Sequence, residues 1–141
     1  MSKYMKSLSD VKLVKLNPNT SRRGNLVALE ESEIPFNIRR VFYVYGVPDQ
    51  ERRGGHAHKT TEQLLICLNG ECKVICSDGN NFKETVLNSS STGLYIPNEI
   101  WDEQIYITHD TILLVLSNTL YDRNDYIESF EQFKEYRNEQ T

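Results

Sequence analysis

One pattern recurs between residues 39 and 116: a short run of β-branched, aromatic and aliphatic residues followed by a turn rich in Gly, Asn, Asp or Pro. Two of these turns, Asn69-Gly70 and Asp78-Gly79, are hairpin signals. Short strands at steady spacing are typical of an antiparallel barrel or a double-sheet jelly roll. The sequence therefore predicts an all-β, jelly-roll protein. Its strands are expected over residues 25–30, 39–45, 63–68, 71–76, 82–87, 94–96, 101–107 and 111–116.

The remaining segments have different patterns. Residues 1–24 are polar and weakly patterned, and residues 49–55, which are charged and Gly-rich, are predicted to form a loop. In residues 124–137 the aromatic residues recur at helical spacing, which predicts one short C-terminal helix capped by Asn124 or Asp125. Because no repeat, linker or composition shift divides the 141 residues, we expect a single domain spanning 1–141.

Composition and charge limit the function. The net charge of -4 argues against nucleic-acid binding, which needs a basic surface. Residues 1–8 lack the apolar region of a secretory signal, and no apolar run approaches the ~18 residues of a membrane span. We therefore expect a cytoplasmic protein with no membrane partner. The three cysteines, Cys67, Cys72 and Cys76, are odd in number, form no CxxC motif and are expected to be buried reduced thiols.

The first candidate for chemistry is the histidine pair His56 and His58, which follows Gly54-Gly55. Residues two apart on a strand point to the same face of the sheet. Both imidazoles would thus enter the barrel together if that face looks inward. Histidine titrates near neutral pH and serves either as an acid–base group or as a metal ligand.

The wider spacing separates those two uses. The series His56, His58, Gln63 and Gly70 has the form of the cupin motif, in which a Glu usually stands where this chain has Gln63. Residues 93–102, where a metal-binding cupin has another His, contain none, and an amide is a poor ligand for a divalent metal. The sequence thus favours acid–base catalysis without a metal or cofactor. Gln63 would orient a histidine by a hydrogen bond, and Asp102 could add a ligand if a metal were used after all.

Cations are concentrated around the histidines and suit a small anionic ligand. Arg53, within three residues of His56, is the preferred ligand-binding candidate, because a guanidinium grips a diphosphate through two parallel hydrogen bonds. Lys59 is expected to assist it. Of Arg39 and Arg40, only one can face inward. The other nearby cation is Arg52.

Two aromatic residues are further candidates. Tyr43 is expected to point into the barrel, where its hydroxyl could polarise a sugar oxygen or relay a proton. Trp101 is expected to stack on a base or a sugar face. Packing in the core is the competing explanation for both residues.

Several blocks together resemble the sugar 3,4-ketoisomerases of the cupin superfamily, which act on dTDP-4-keto-6-deoxyglucose. The resemblance extends from about residue 23 to residue 133. The blocks are residues 40–48 (RVFYVYGVP), 53–59 (RGGHAHK), 94–97 (LYIP) with Trp101, and 121–127 (YDRNDYI).

This resemblance implies a cupin jelly roll that forms a homodimer, requires no metal and moves the keto group of the substrate from C4 to C3 through an enediol. It places the catalytic pair on His56 and His58, with Tyr43 and Arg53 nearby. We expect His58 to be the base and His56 its partner. The alternatives are a non-catalytic or regulatory cupin that binds a nucleotide sugar, and a metal-dependent cupin enzyme. Members of the family often have His after the Trp, where this chain has Asp102.

Overall fold

The structure, a computed structural model, describes residues 4–140 and confirms the all-β jelly-roll class. Strands predominate, and the one α-helix among these residues lies near the C-terminus. The strands are β1 (Lys12–Lys15), β2 (Asn19–Ser21), β3 (Gly24–Leu26), β4 (Arg40–Val44), β5 (Glu51–His58), β6 (Gln63–Asn69), β7 (Cys72–Ser77), β8 (Phe82–Leu87), β9 (Thr92–Ile96), β10 (Trp101–Tyr106), β11 (Ile112–Ser117) and β12 (Tyr126–Ile127).

Two five-stranded sheets form the barrel. Their strand orders are β1-β9-β6-β11-β4 and β12-β5-β10-β7-β8, and neighbouring strands pair antiparallel throughout. A hydrophobic core joins residues of both sheets, such as Leu65 and Leu113 from one and Val74 and Tyr106 from the other. Burial of these apolar faces is the main force that holds the two sheets together.

The first deviation from the sequence-based prediction concerns residues 49–55, which were expected to form a loop. Residues from Glu51 onward belong to β5, which continues to His58 and pairs with β10. The charged start of this strand is exposed, so it lacks the apolar alternation by which a strand is recognised. The histidine pair therefore lies at the end of a long strand.

The N-terminal region is more ordered than its sequence indicates. β1 adds to the edge of one sheet beside β9, and β2 and β3 form a separate hairpin. The predicted strand over 25–30 is present only as its first two residues. The segment after this hairpin covers the outer face of the first sheet, because Ile34 and Phe36 pack on Leu64 and Leu116.

The C-terminal helix α1 (Phe130–Gln140) begins six residues later than predicted. Tyr126 is not helical: it lies on β12 and pairs with His58. Ser129 precedes the helix and accepts a hydrogen bond from the backbone of Gln132, so neither Asn124 nor Asp125 caps it. Within residues 4–140, no helix has the length and apolar character needed to cross a bilayer.

The three cysteines are free and buried, as predicted. Burial raises the pKa of all three thiols, that of Cys72 to about 12. A thiol with so high a pKa is protonated at neutral pH and is a poor nucleophile. The cysteines therefore act as small hydrophobic residues of the core.

Candidate active site

A cavity of about 190 Å³ opens between the two sheets, and both sheets contribute to its walls. It combines cationic, imidazole, amide and aromatic side chains over an apolar base. The lining residues are Arg40, Phe42, Val44, Arg53, Gly54, His56, Gln63, Gln104, Tyr106, Leu113, Val115 and Tyr126. This composition suits a small polar ligand that carries negative charge.

A β-bulge at Gly54-Gly55 explains how Arg53 and His56, three residues apart, reach the same cavity. Asp102 pairs with His56 and Glu103 with Gly54, so the register skips Gly55. Both glycines have positive φ, +82° and +81°, which a residue with a Cβ adopts only at a cost. The extra residue shifts the alternation of the strand by one. As a result Arg53 and His56 both face inward. In a strand without a bulge, two side chains three residues apart would point to opposite faces.

The two histidines are neighbours, but their environments differ. Their ring centroids are 5.1 Å apart, with the rings nearly perpendicular. Tyr126 packs against both, at 5.1 Å from His56 and 4.4 Å from His58. His56 lines the cavity, whereas His58 is only 5% exposed and lies behind it. The histidine that can touch a ligand is therefore His56.

Asp125 lies directly against the buried histidine. Its Oδ2 atom is 3.3 Å from Nδ1 of His58. The carboxylate accepts four hydrogen bonds, from the backbone N–H and the hydroxyl of both Thr60 and Thr61. Burial acts to raise the pKa of Asp125, but these hydrogen bonds and the nearby imidazole outweigh it, so its pKa lies below the ordinary value. Asp125 is therefore ionised at neutral pH.

His58 is a neutral imidazole at neutral pH. Burial, together with the charges of His56 and Arg40, lowers its pKa to about 4, although Asp125 favours the protonated form. Among the described residues neither ring nitrogen of His58 makes a hydrogen bond. A buried polar group without a partner is unusual and is often explained by function.

A chain of polar side chains lies on β10, the strand that pairs with β5 in the same sheet. Gln104 donates a hydrogen bond of 2.7 Å from Nε2 to Oδ2 of Asp102, and the Tyr106 hydroxyl lies 3.5 Å from the Gln104 Oε1 atom. Burial raises the pKa of Asp102, which is 1% exposed, although His56 and Gln104 oppose the shift. Burial also raises the pKa of Tyr106.

The cations divide between the cavity and the outer surface. Arg40 and Arg53 line the cavity, and Arg40 also lies 4.5 Å from the centre of the Phe42 ring. Arg52 points away and pairs with Glu103 at 3.3 Å. Lys59 is exposed and lines a different groove, beside α1, so it does not join Arg53 in the cavity. The cavity therefore has two guanidinium groups for an anionic ligand.

Of the residues predicted from the sequence to form the site, the structure brings together His56, His58, Arg53 and Gln63. The predicted orientation of Tyr43 is wrong: its side chain is 63% exposed on the outer face of β4, because the inward positions of that strand are Arg40, Phe42 and Val44. The ring stacks on Tyr45.

The predicted position of Trp101 in the cavity is also wrong. The indole lies on the outer face of β10, in a cluster with Ala57, Ile127 and Phe133 under α1. The next residue along β10, Asp102, faces inward instead, and it pairs with His56 on the adjacent strand β5. The tryptophan is 5% exposed, so packing, the competing explanation, accounts for its position.

Three residues near the histidines were not predicted as site residues. The sequence pattern predicts a helix at Tyr126 and a helix cap at Asp125, and it contains no signal for Gln104. Asp125 and Tyr126 both lie in the block YDRNDYI, whose resemblance to the family is the sequence signal for them. Among residues 4–140, no group of three or more His, Cys, Asp and Glu side chains is arranged to hold a metal ion.

Fold and site together define the class of protein: a cupin-type β-barrel whose histidine-lined cavity is equipped for an anionic ligand. A protein-family model described as "FdtA: WxcM-like, C-terminal" matches residues 9–138. The chain belongs to this family.

Individual relatives agree with that assignment. The TDP-4-oxo-6-deoxy-alpha-D-glucose-3,4-oxoisomerase of Aneurinibacillus thermoaerophilus is 43% identical over 126 residues, covering 89% of this chain and 91% of the relative. A 3,4-ketoisomerase structure from Helicobacter canadensis is 37% identical with a TM-score of 0.89, covering 96% and 99% of the two chains. A mutant of the Thermoanaerobacterium thermosaccharolyticum 3,4-ketoisomerase QdtA, in complex with TDP-4-keto-6-deoxyglucose, is 35% identical with a TM-score of 0.90, covering 94% and 97%.

Proposed function

We propose that this protein is a 3,4-ketoisomerase that converts dTDP-4-keto-6-deoxyglucose into a dTDP-3-keto-6-deoxyhexose. The observation that carries the proposal is the histidine His56 in a cavity that also holds Arg40 and Arg53, within a family whose relatives are TDP-sugar ketoisomerases. Moving a ketone from C4 to C3 requires a base for the C3 proton and an acid that returns a proton at C4. An imidazole can perform both tasks near neutral pH.

The geometry supports a division of labour between the histidines that differs from the sequence-based expectation. His56 takes the C3 proton, because it lines the cavity, whereas His58 lies behind it and is 5% exposed. His58 acts as the second member of the pair, in edge contact with His56. Tyr126, which packs on both rings and lines the cavity, is close enough to contact the sugar.

The other polar groups of the cavity bind the substrate. Arg40 and Arg53 hold the diphosphate through charge-assisted hydrogen bonds. Gln63 is buried in the cavity wall and supplies an amide for a sugar hydroxyl. Lys59, on the neighbouring groove, contributes long-range attraction for the anion. The reaction proceeds without a metal or other cofactor.

The assay is the conversion of dTDP-4-keto-6-deoxyglucose by the purified protein, followed by NMR in water and in heavy water. We expect a 3-keto product and deuterium in the sugar at the exchanged carbon. A His56→Ala variant should lose about 10²–10⁴-fold in turnover, while His109→Ala, which changes a surface histidine, serves as the matched control.

Two outcomes of this assay would contradict the proposal. Absence of both the 3-keto product and the deuterium would refute the isomerase and leave a binding protein. Loss of activity with a chelator, and its recovery with added metal, would show a metal-dependent enzyme instead. Activity that is indifferent to the chelator agrees with the proposal.

The protein is also proposed to be a cytoplasmic, single-domain homodimer. Support for the dimer comes from the outer face of β4, a strand at the edge of its sheet, where Val41 and Tyr43 are 56% and 63% exposed, and from Tyr45 just after the strand, which is 69% exposed. Exposed apolar strips of this kind mark protein interfaces. Light scattering after gel filtration should give twice the 16.4 kDa chain mass, and Tyr43→Lys should shift the protein toward monomer.

A further inference from the structure

Asp125 is not part of the cavity wall, yet it is held rigidly beside the histidine pair. The residue ends a 3₁₀ turn (Arg123–Asp125) and is 8% exposed. Four donors of Thr60 and Thr61 bind its two oxygens, and its backbone carbonyl accepts from Lys59. These donors follow immediately after His58 in the chain. The carboxylate is therefore fixed relative to the strand that carries the imidazole.

The carboxylate has a direct consequence for the protonation of the ring. A neutral imidazole has one N–H, on either Nδ1 or Nε2. An ionised oxygen 3.3 Å from Nδ1 attracts a proton on that nitrogen and repels a lone pair there. Nε2 then carries the lone pair.

We propose that Asp125 is a positioning residue that holds His58 in the Nδ1–H tautomer and leaves Nε2 as the nitrogen that accepts a proton at the histidine pair. The kinetic consequence rests on the proposed ketoisomerase activity, whereas the tautomer itself does not. Arg40 and His56 cannot take this role, because both oppose positive charge on His58.

The groups that face His58 come from several elements. His56 lies on the same strand, Arg40 on β4, Tyr126 on β12, and Asp125 on the turn before it. Of the charged groups named here, all from the described part of the chain, only Asp125 favours the imidazolium form. Removal of this carboxylate is therefore expected to lower the pKa of His58 further.

The first measurement is a two-bond ¹H–¹⁵N correlation spectrum of the wild-type protein labelled with ¹⁵N-histidine. We expect His58 at neutral pH to show a protonated Nδ1 and a bare Nε2. The opposite pattern, or an even mixture of the two tautomers, overturns the proposal. This measurement needs no variant and no substrate, so it separates the proposal from the question of activity.

The second measurement compares three variants. Asp125→Asn should lower kcat by about 10- to 100-fold with little change in KM, a loss of the size found when the carboxylate that orients a metal-bound histidine is removed. Asp122→Asn is the matched control, because Asp122 caps the same turn through the N–H of Asn124 without touching His58. Thr61→Val removes one donor but keeps the carboxylate, so the tautomer and most of kcat should survive.

The outcomes discriminate clearly. An unchanged His58 tautomer in Asp125→Asn, or an equal loss of kcat in Asp122→Asn or Thr61→Val, would mean that Asp125 only stabilises the turn. If Asp125→Asn does not fold, the wild-type spectrum and Thr61→Val decide. A wild-type protein with the expected tautomer but no ketoisomerase activity refutes the proposed function and not the role of Asp125.

Discussion

The β-bulge at Gly54-Gly55 gives the sharpest prediction about this site. A Cβ at position 54 would lie 3.2 Å from the carbonyl oxygen of Asp102, 3.2 Å from Nε2 of Gln104 and 3.3 Å from Cα of Glu103. Two of these atoms belong to the backbone of β10 and cannot move aside easily. Gly54→Ala therefore combines an unfavourable positive φ with steric overlap.

The expected cost can be worked out from these contacts. The backbone conformation costs about 1–2 kcal/mol for a residue with a Cβ, and the overlap adds on the order of 1 kcal/mol. Gly55→Ala has nearly the same φ, but its nearest contact is Trp101 at 4.0 Å, so only the backbone cost applies. We expect losses of about 2–3 kcal/mol for Gly54→Ala and about 1–2 kcal/mol for Gly55→Ala, or roughly 4 °C in Tm for each kcal/mol.

Activity should fall as well, because the bulge aims His56 into the cavity. A displacement of about 1 Å at a reacting group can cost ~10²-fold in rate. Urea denaturation and the NMR turnover assay measure the two effects, and Gly79→Ala is the control, since φ is +99° there at a turn away from the cavity. A stable Gly54→Ala protein would refute the steric argument. A destabilised protein with full activity at low temperature would refute the aiming role.

Three further results are expected. The pKa of His58 falls from an ordinary 6.5 to about 4 on folding, so its contribution to stability is present above pH 6.5 and is lost as the pH falls toward 4. Denaturation curves at pH 7 and pH 5 should therefore differ by about 2 kcal/mol from this group, because only the window from pH 6.5 to pH 5 contributes; His58→Gln removes this difference and His109→Gln does not. Trp101→Ala should cost about 3–5 kcal/mol in the free energy of unfolding, with KM unchanged at a temperature where the variant is folded, because the indole packs under α1; a raised KM with normal stability would contradict this. Arg53→Lys should raise KM, since an ammonium cannot bind a diphosphate through two parallel hydrogen bonds, and an unchanged KM would place the diphosphate elsewhere.

The sequence alone was sufficient for the fold class and for most central strands, because hairpin turns separate apolar runs of the right length. It was insufficient for the faces of those strands. On β4 the alternation makes two apolar faces, one with Val41 and Tyr43 and one with Phe42 and Val44, and no local signal says which is inside. The same uncertainty of phase led to the wrong prediction that Trp101 lies in the cavity, whereas its inward neighbour Asp102 was considered only as a possible metal ligand.

The rest of the site depends on long-range pairing. Tyr126 reaches His58 because β12 pairs with β5, and the two residues are far apart in sequence. Its spacing from Phe130 and Phe133 mimics a helix, so local periodicity gave the wrong element. The histidines themselves were found because two like residues two apart on one strand are a local pattern. The bulge that orients them could not be predicted, because a glycine pair in a charged segment is equally typical of a loop.

The burial of the thiols has a practical consequence for studying this enzyme in solution. Cys67, Cys72 and Cys76 are each about 1% exposed or less, and their raised pKa values keep them protonated. A cysteine introduced on the surface would then be far more reactive than the native ones toward a maleimide dye. A single fluorophore attached near the cavity mouth could report nucleotide-sugar binding in real time, with the native protein as an unlabelled blank.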